Sequence, residues 1–193
     1  TQDFKYENGN KISESCTYYR EDGSLSQTID YKYDENGYYA SILNTHYYEN
    51  GTVSTAEEKY ENGQAVSSFE TRYRKDGTIK ETYDSKYENG YCVSDLNTCY
   101  REDGTVEVTK ERTYGTHMSY HETSYNTNGT ISKEIKYEYN NAAERTKETE
   151  ITYEYDNQGR VTKKTTSEKD LVNNTRSETV EEFEYDDEGN AIK

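Results

Sequence analysis

Hydrophobic and polar residues alternate along this chain with a period of two. After Gly129, Ile131, Lys133, Ile135, Tyr137 and Tyr139 fall on one side, with Ser132, Glu134, Lys136 and Glu138 on the other; Ile79, Glu81, Tyr83, Ser85 and Tyr87 continue the alternation elsewhere. A period of two, rather than the 3.6 of a helix, predicts half-buried strands, and Thr, Tyr, Val and Ile are the residues that suit them.

Glycine punctuates the alternation at positions 9, 23, 37, 51, 63, 77, 90, 104, 115 and 129, and again at 159 and 189. Asn140-Asn141 and Asn173-Asn174 supply a turn in each of the two long gaps, giving 14 turns and 13 complete segments between them. In "YREDGTV" the Glu-Asp-Gly triplet fits a three-residue hairpin loop with Gly in the left-handed region, which places Tyr100 opposite Val106. In "YENG" the Asn-Gly pair fits a two-residue loop of the primed kind. The two loop classes are expected to alternate. The fold class is therefore all-β: tandem β-hairpin repeats of about 27 residues forming one continuous, twisted antiparallel meander sheet, flat, curved or rolled. A β-solenoid of parallel coils is the alternative, and tight Asn-Gly and Asp-Gly reversals argue against its wide corners. Residues 1–139 read as five regular hairpin repeats and 140–193 as divergent units that continue the same sheet.

The repeat has a signature. Counted from the Gly that opens a unit, Ser stands at +4 (Ser13, Ser41, Ser67, Ser94, Ser119) and Thr at +8 (Thr17, Thr45, Thr71, Thr98, Thr123), with Tyr at +10 (Tyr19, Tyr47, Tyr73, Tyr100, Tyr125). Even offsets put all three on one face, in columns that recur every second strand, about 9.6 Å apart. One reading is structural: the small hydroxyl side chains permit close approach, and Tyr covers the aliphatic residue beside each turn. The other is recognition of a glycan or a protein. Its candidate binding residues are Tyr19, Tyr47, Tyr73, Tyr100 and Tyr125 together with Thr45, Thr71 and Thr98, since Tyr stacks on apolar surfaces while its hydroxyl bonds outward.

Composition narrows the classes. Ile, Val, Leu and Phe together number 23, no more than Tyr alone. So thin an apolar supply argues against one deep core, while the lack of Pro and the wealth of Tyr mark a folded chain. A net charge of −16 argues against nucleic acid and anionic membranes as partners and suits neutral polysaccharides or basic protein patches. No apolar run approaches the ~18 residues of a spanning helix, so no membrane insertion is expected. The opening "TQDFKYENGN" lacks a secretion leader, which places any signal upstream. Cys16, Cys92 and Cys99 are expected as free thiols, with Cys92 and Cys99 on opposite faces of one strand by their odd separation. His46, His117 and His121 lack metal-ligand spacing, "YDDEGN" lacks the ligands of a calcium loop, and no nucleophile elbow or phosphate-cradling loop is present. The expectation is a non-enzymatic chain without catalytic residues, metal or cofactor, monomeric, with edge strands open to association.

The last third contains "ITYEYDNQGRVTKKT" and "EFEYDDEGNAIK". These stretches resemble the YD repeat of RHS-type proteins, in which a Tyr-Asp pair precedes a Gly, then a basic residue and an aliphatic one. The other units are more loosely similar to the MORN-type tandem hairpins of bacteria, where "YYENG" followed by an aliphatic is common. The resemblance implies a bacterial repeat protein of the cell surface or of a secreted toxin's shell, hence an extracellular or surface location. Two roles follow: a non-catalytic module that binds a glycan or protein through its Tyr/Ser/Thr face, or a purely structural spacer or shell segment.

Overall fold

A computed structural model describes residues 1–116 and 118–192, and within them every regular element is a β-strand. The compact unit Thr1–Gly104 holds β1 (Gln2–Glu7), β2 (Asn10–Tyr19), β3 (Leu25–Tyr33), β4 (Tyr39–Tyr47), β5 (Val53–Glu61), β6 (Gln64–Tyr73), β7 (Ile79–Glu88) and β8 (Tyr91–Tyr100). A second unit, from Thr105 onward, holds β9 (Val106–Thr113), β10 (Ser119–Tyr125), β11 (Ile131–Tyr139), β12 (Arg145–Tyr155), β13 (Val161–Asp170) and β14 (Thr175–Glu182). Within each unit sheet order follows sequence order, β1 to β8 in the first and β9 to β14 in the second. This is the antiparallel hairpin meander that the loops predict, and it excludes the parallel solenoid. The strands outnumber the 13 predicted segments because the stretch before Gly9 is itself a strand.

The loops sort by hydrogen bonding. In the three-residue class the Gly23 N–H donates to the Arg20 carbonyl (3.0 Å) and the Arg20 N–H to the Ser24 carbonyl (2.8 Å), with Gly23 at φ 83°. Two-residue primed loops occur at Asn8-Gly9, Asn62-Gly63 and Asn89-Gly90, where Asn also takes a positive φ of 50–52°. The "YENG" of Tyr48–Gly51 departs from expectation and forms a three-residue loop: the Tyr48 N–H donates to the Thr52 carbonyl at 3.0 Å. Both flanks differ, Tyr47 and Thr52 here against Lys59 and Gln64 at the two-residue loop of Asn62-Gly63. Thr52 donates its N–H (3.0 Å) and its hydroxyl (2.7 Å) to Asn50 Oδ1, a bond that stabilises the longer loop. The loops at Gly23, Gly37 and Gly51 are all three-residue, so the two classes do not alternate strictly.

The Tyr-Asp pairs have a local reason. Asp156 Oδ1 accepts the N–H groups of Gln158 (2.9 Å) and Arg160 (2.9 Å), and Asp186 Oδ1 those of Glu188 (3.0 Å) and Asn190 (2.8 Å). Asp34 closes its loop in the same way through Asn36 and Tyr38. Where Arg or Tyr holds that flank, the acceptor moves into the loop: Asp22 takes the Ser24 N–H and Asp76 the Thr78 N–H.

Register turns the repeat into continuous columns. In the first unit the N–H of Thr17 bonds to Thr1, and the ladder then runs Thr17, Thr28, Thr45, Thr55, Thr71, Thr82, Thr98 across adjacent strands. The Thr column thus repeats on every strand rather than every second one, because Thr28, Thr55 and Thr82 fill the gaps between the +8 positions. The Ser column is filled by lysines: Lys5, Ser13, Lys32, Ser41, Lys59, Ser67, Lys86, Ser94. Like charges are thereby held two strands apart, about 9.6 Å, where their repulsion is screened. In the second unit Thr109 pairs with Thr123, which faces Glu134, then Ile151, Thr166 and Thr179.

A bulge near the start of most strands inverts the facing of what precedes it. At Ala40 the register jumps from Lys32↔Ser41 to Tyr33↔Tyr39, and at Val93 from Lys86↔Ser94 to Tyr87↔Cys92. The second jump puts Cys92 on the face of Cys99, which is opposite Glu81, and so corrects the expectation that these two thiols lie on opposite faces. All three cysteines are free.

Burial is shallow. Cys16 and Ile151 are the buried apolar residues among those described, and no side chain is fully enclosed. The accessible surface is 12884 Å², against about 9,500 Å² for a globular monomer of this 22.5 kDa mass. Within each unit a strand touches only its sequence neighbours, so stability accumulates from nearest-neighbour interfaces. Thr71 sits in the ladder at 5% exposure between two other Thr. Thr71→Ala is expected to lower stability by about 1 kcal/mol, read as a drop in urea midpoint, whereas a change at exposed Glu102 should leave the midpoint in place.

Candidate functional site: two tyrosine belts and a buried carboxylate

Within each unit the predicted binding residues share one face, as their even offsets require, with the Thr in its ladder and the Tyr in a belt along one end. Tyr19 pairs with Leu25, Tyr47 with Val53, Val53 with Tyr73, Tyr73 with Ile79, and in the second unit Tyr125 with Ile131. Each of these four Tyr therefore lies against an aliphatic residue, in an apolar stripe at the strand ends. Tyr19 is 57% exposed, while Tyr47, Tyr73, Tyr100 and Tyr125 are half-buried. Thr45 and Thr98 are half-buried and Thr71 is buried, each inside the ladder.

Side chains beside this belt donate to backbone carbonyls of their own and adjoining hairpins. Arg20 donates to the carbonyls of Leu25 (2.6 Å) and Tyr47, and Arg74 to those of Ile79 and Tyr100. In the second unit tyrosine hydroxyls take over this task. Tyr155 donates to the Ile131 carbonyl at 2.6 Å and Tyr185 to the Val161 carbonyl at 2.8 Å.

A second belt, on the opposite face, was not legible in the offsets. The bulge at Ala40 brings Tyr39 beside Tyr33, and ring centroids lie 5.2 Å apart for Tyr33–Tyr39, 5.5 Å for Tyr31–Tyr39 and 6.1 Å for Tyr39–Tyr60. Lys11 Nζ sits 4.3 Å from the Tyr33 ring centroid and 2.8 Å from Glu14, which also accepts from the Tyr33 hydroxyl at 3.0 Å. Hydrogen bonds from Lys11, then Gln2, hold the Glu14 carboxyl at about 2. Burial, reinforced by its bond to Glu58, pushes the Tyr60 phenol up to about 12. In the second unit Tyr120 and Tyr137 stack at 5.2 Å and 15°, with Arg112 over the first ring (5.6 Å) and Arg145 over the second (3.6 Å). The rings of Tyr33, Tyr120 and Tyr137 thus each carry a cation of the protein itself, while Tyr39 stays exposed.

One carboxylate interrupts the Thr column. Glu134, at 8% exposure, receives the Tyr153 hydroxyl (2.5 Å), Lys136 Nζ (2.9 Å) and His121 Nε2 (2.8 Å). Burial raises its pKa, but the bonds from Tyr153, Lys136 and His121 outweigh burial and hold it at about 2. His46 lies beside Tyr48, with ring centroids 6.2 Å apart, and His117 falls outside the described residues. An open groove of about 770 Å³ lies over β12–β14, and in it Lys147 and Glu168 pair at 2.6 Å.

No family model matches the chain, and no curated protein matches it. Solved structures overlap it loosely. A TcdB2-TccC3-TEV crystal structure gives 11% identity and a TM-score of 0.32 over 99% of this chain and 14% of that one. A porin-like protein from Bacteroides uniformis gives 11% and 0.27, covering 93% of this chain and 91% of its own. The Photorhabdus luminescens Tc holotoxin pore gives 13% and 0.17 over 97% and 14%. The chain thus spans about one seventh of the toxin chains, and overlaps this loose carry neither a fold nor a function across.

Glu134 makes a pH-dependent contribution. Its folded pKa lies below the 4.5 of the free group, so its stabilisation is complete above pH 4.5 and is lost as pH falls through about 2. Glu134→Gln is expected to lower stability at neutral pH by on the order of 2 kcal/mol, with the gap to the parent closing towards pH 2 in urea titrations across that range.

Proposed function

We propose that this chain is a non-catalytic scaffold, a repeat-built spacer or shell segment of a larger bacterial surface or secreted protein. The observation that supports it most directly is how its aromatic and hydroxyl side chains are used. The +10 tyrosines cover neighbouring aliphatics, the +8 threonines form a ladder inside the sheet, and Arg20, Arg74, Tyr155 and Tyr185 bond to the backbone of the adjoining hairpin. The YD-type resemblance at Tyr155-Asp156 and Tyr185-Asp186 supports the same class and a location outside the cell.

A second reading, recognition of a glycan or protein, has one observation in its favour: Tyr39 is 42% exposed at the centre of the Tyr31–Tyr33–Tyr60 cluster. A combined Tyr47→Ala, Tyr73→Ala, Tyr100→Ala variant separates the two when urea unfolding is paired with a glycan array. The scaffold predicts a loss of roughly 1–3 kcal/mol per site and a silent array for parent and variant alike. A parent that binds a glycan and loses it on Tyr39→Ala at unchanged stability would overturn the scaffold reading.

A further inference from the structure

The six Asn-Gly pairs of the chain sit in two hydrogen-bonding environments. Asn-Gly is chemically labile because the glycine nitrogen, with no side chain beside it, can attack the asparagine Cγ. In the three-residue loops that nitrogen is engaged: Gly37 N–H donates to the Asp34 carbonyl (3.1 Å), Gly51 to Tyr48 (2.9 Å) and Gly129 to Asn126 (3.0 Å). Asn50 and Asn128 are engaged as well, since their Oδ1 atoms accept from Thr52 and Thr130. In the two-residue loops the N–H groups of Gly9, Gly63 and Gly90 donate to no backbone carbonyl, and Asn8, Asn62 and Asn89 are exposed.

We propose that Asn8, Asn62 and Asn89 are sites of spontaneous conversion to aspartate and isoaspartate, while Asn36, Asn50 and Asn128 are protected by their loops. In the reaction the deprotonated glycine nitrogen forms a bond to the side-chain Cγ, and ammonia leaves with the displaced proton. Water then opens the resulting succinimide at either carbonyl. The isoaspartyl product inserts a methylene into a two-residue loop and adds a negative charge at the strand junction that this loop fixes. The three sites are further graded. A Cβ on Gly63 would lie 3.4 Å from the Tyr38 ring, whereas nothing lies within 4 Å of the corresponding point at Gly9 or Gly90, so Asn62 converts more slowly than Asn8 and Asn89.

The sequence carries its own control: Glu35-Asn36-Gly37-Tyr38 and Glu88-Asn89-Gly90-Tyr91 share the same four residues in different loops. The intact protein would be held in mildly alkaline buffer, native or in concentrated urea, and mapped by peptide mass spectrometry with isoaspartyl methyltransferase labelling. Conversion of Asn89 several-fold faster than Asn36 in the native protein, with the two rates converging in urea, is the expected result. Equal native rates, a reversed order, no native conversion at Asn8, Asn62 and Asn89, or a difference that persists in urea would each overturn the proposal.

Discussion

Everything in this molecule follows from strand pairing without a covering layer. With 23 residues of Ile, Val, Leu and Phe and as many Tyr, the chain cannot fill an interior, and each strand is packed only by its two neighbours. Side chains must then obtain their burial laterally, along columns that run across the strands. The Thr ladder does this in the middle of one face, the Tyr and aliphatic belt at its end, and the stacked tyrosines on the other face. Tyr suits such a sheet because its ring covers a neighbour while its hydroxyl reaches a carboxylate or a backbone carbonyl.

The same constraint explains the charges. On β1, β3, β5 and β7 a lysine is flanked at i−2 and i+2 by acids, as in Asp3-Phe4-Lys5-Tyr6-Glu7 and Asp84-Ser85-Lys86-Tyr87-Glu88, while the partner strands offer Ser at that level. Charge is thus balanced within a strand and diluted across strands. Where Glu134 enters the Thr column, it does so only with Tyr153, Lys136 and His121 gathered around it, as a buried carboxylate requires.

Much of the fold was legible because its information is local: the alternation in β11, the Gly positions and the loop chemistry all act within a few residues. What escaped the sequence was register. The bulges at Ala40 and Val93 shift pairing by one residue, moving Tyr39 and Cys92 to the other face, and simple counting of even offsets has no access to such a shift. Loop length escaped for a similar reason, since the same "YENG" forms a three-residue loop between Tyr47 and Thr52 and a two-residue loop between Lys59 and Gln64. In the candidate site the +8 and +10 columns were found, but the intervening Thr28, Thr55 and Thr82 were not, because bulges at Ser26 and Lys80, with none in β5, place Thr at unequal distances from its Gly.

The central claim, that the sheet is built from nearest-neighbour hairpins without a shared core, is tested most directly by removing one. Excising residues 63–89 deletes β6 and β7 and joins Asn62 to Gly90, which recreates an Asn-Gly loop and sets Thr55 opposite Thr98 and Lys59 opposite Ser94. Equilibrium unfolding of this variant should show a cooperative β-sheet protein whose stability falls only by the share of the strands removed. Collapse of the sheet signal, or a chain that fails to fold, would mean that stability resides in long-range packing, contradicting the account.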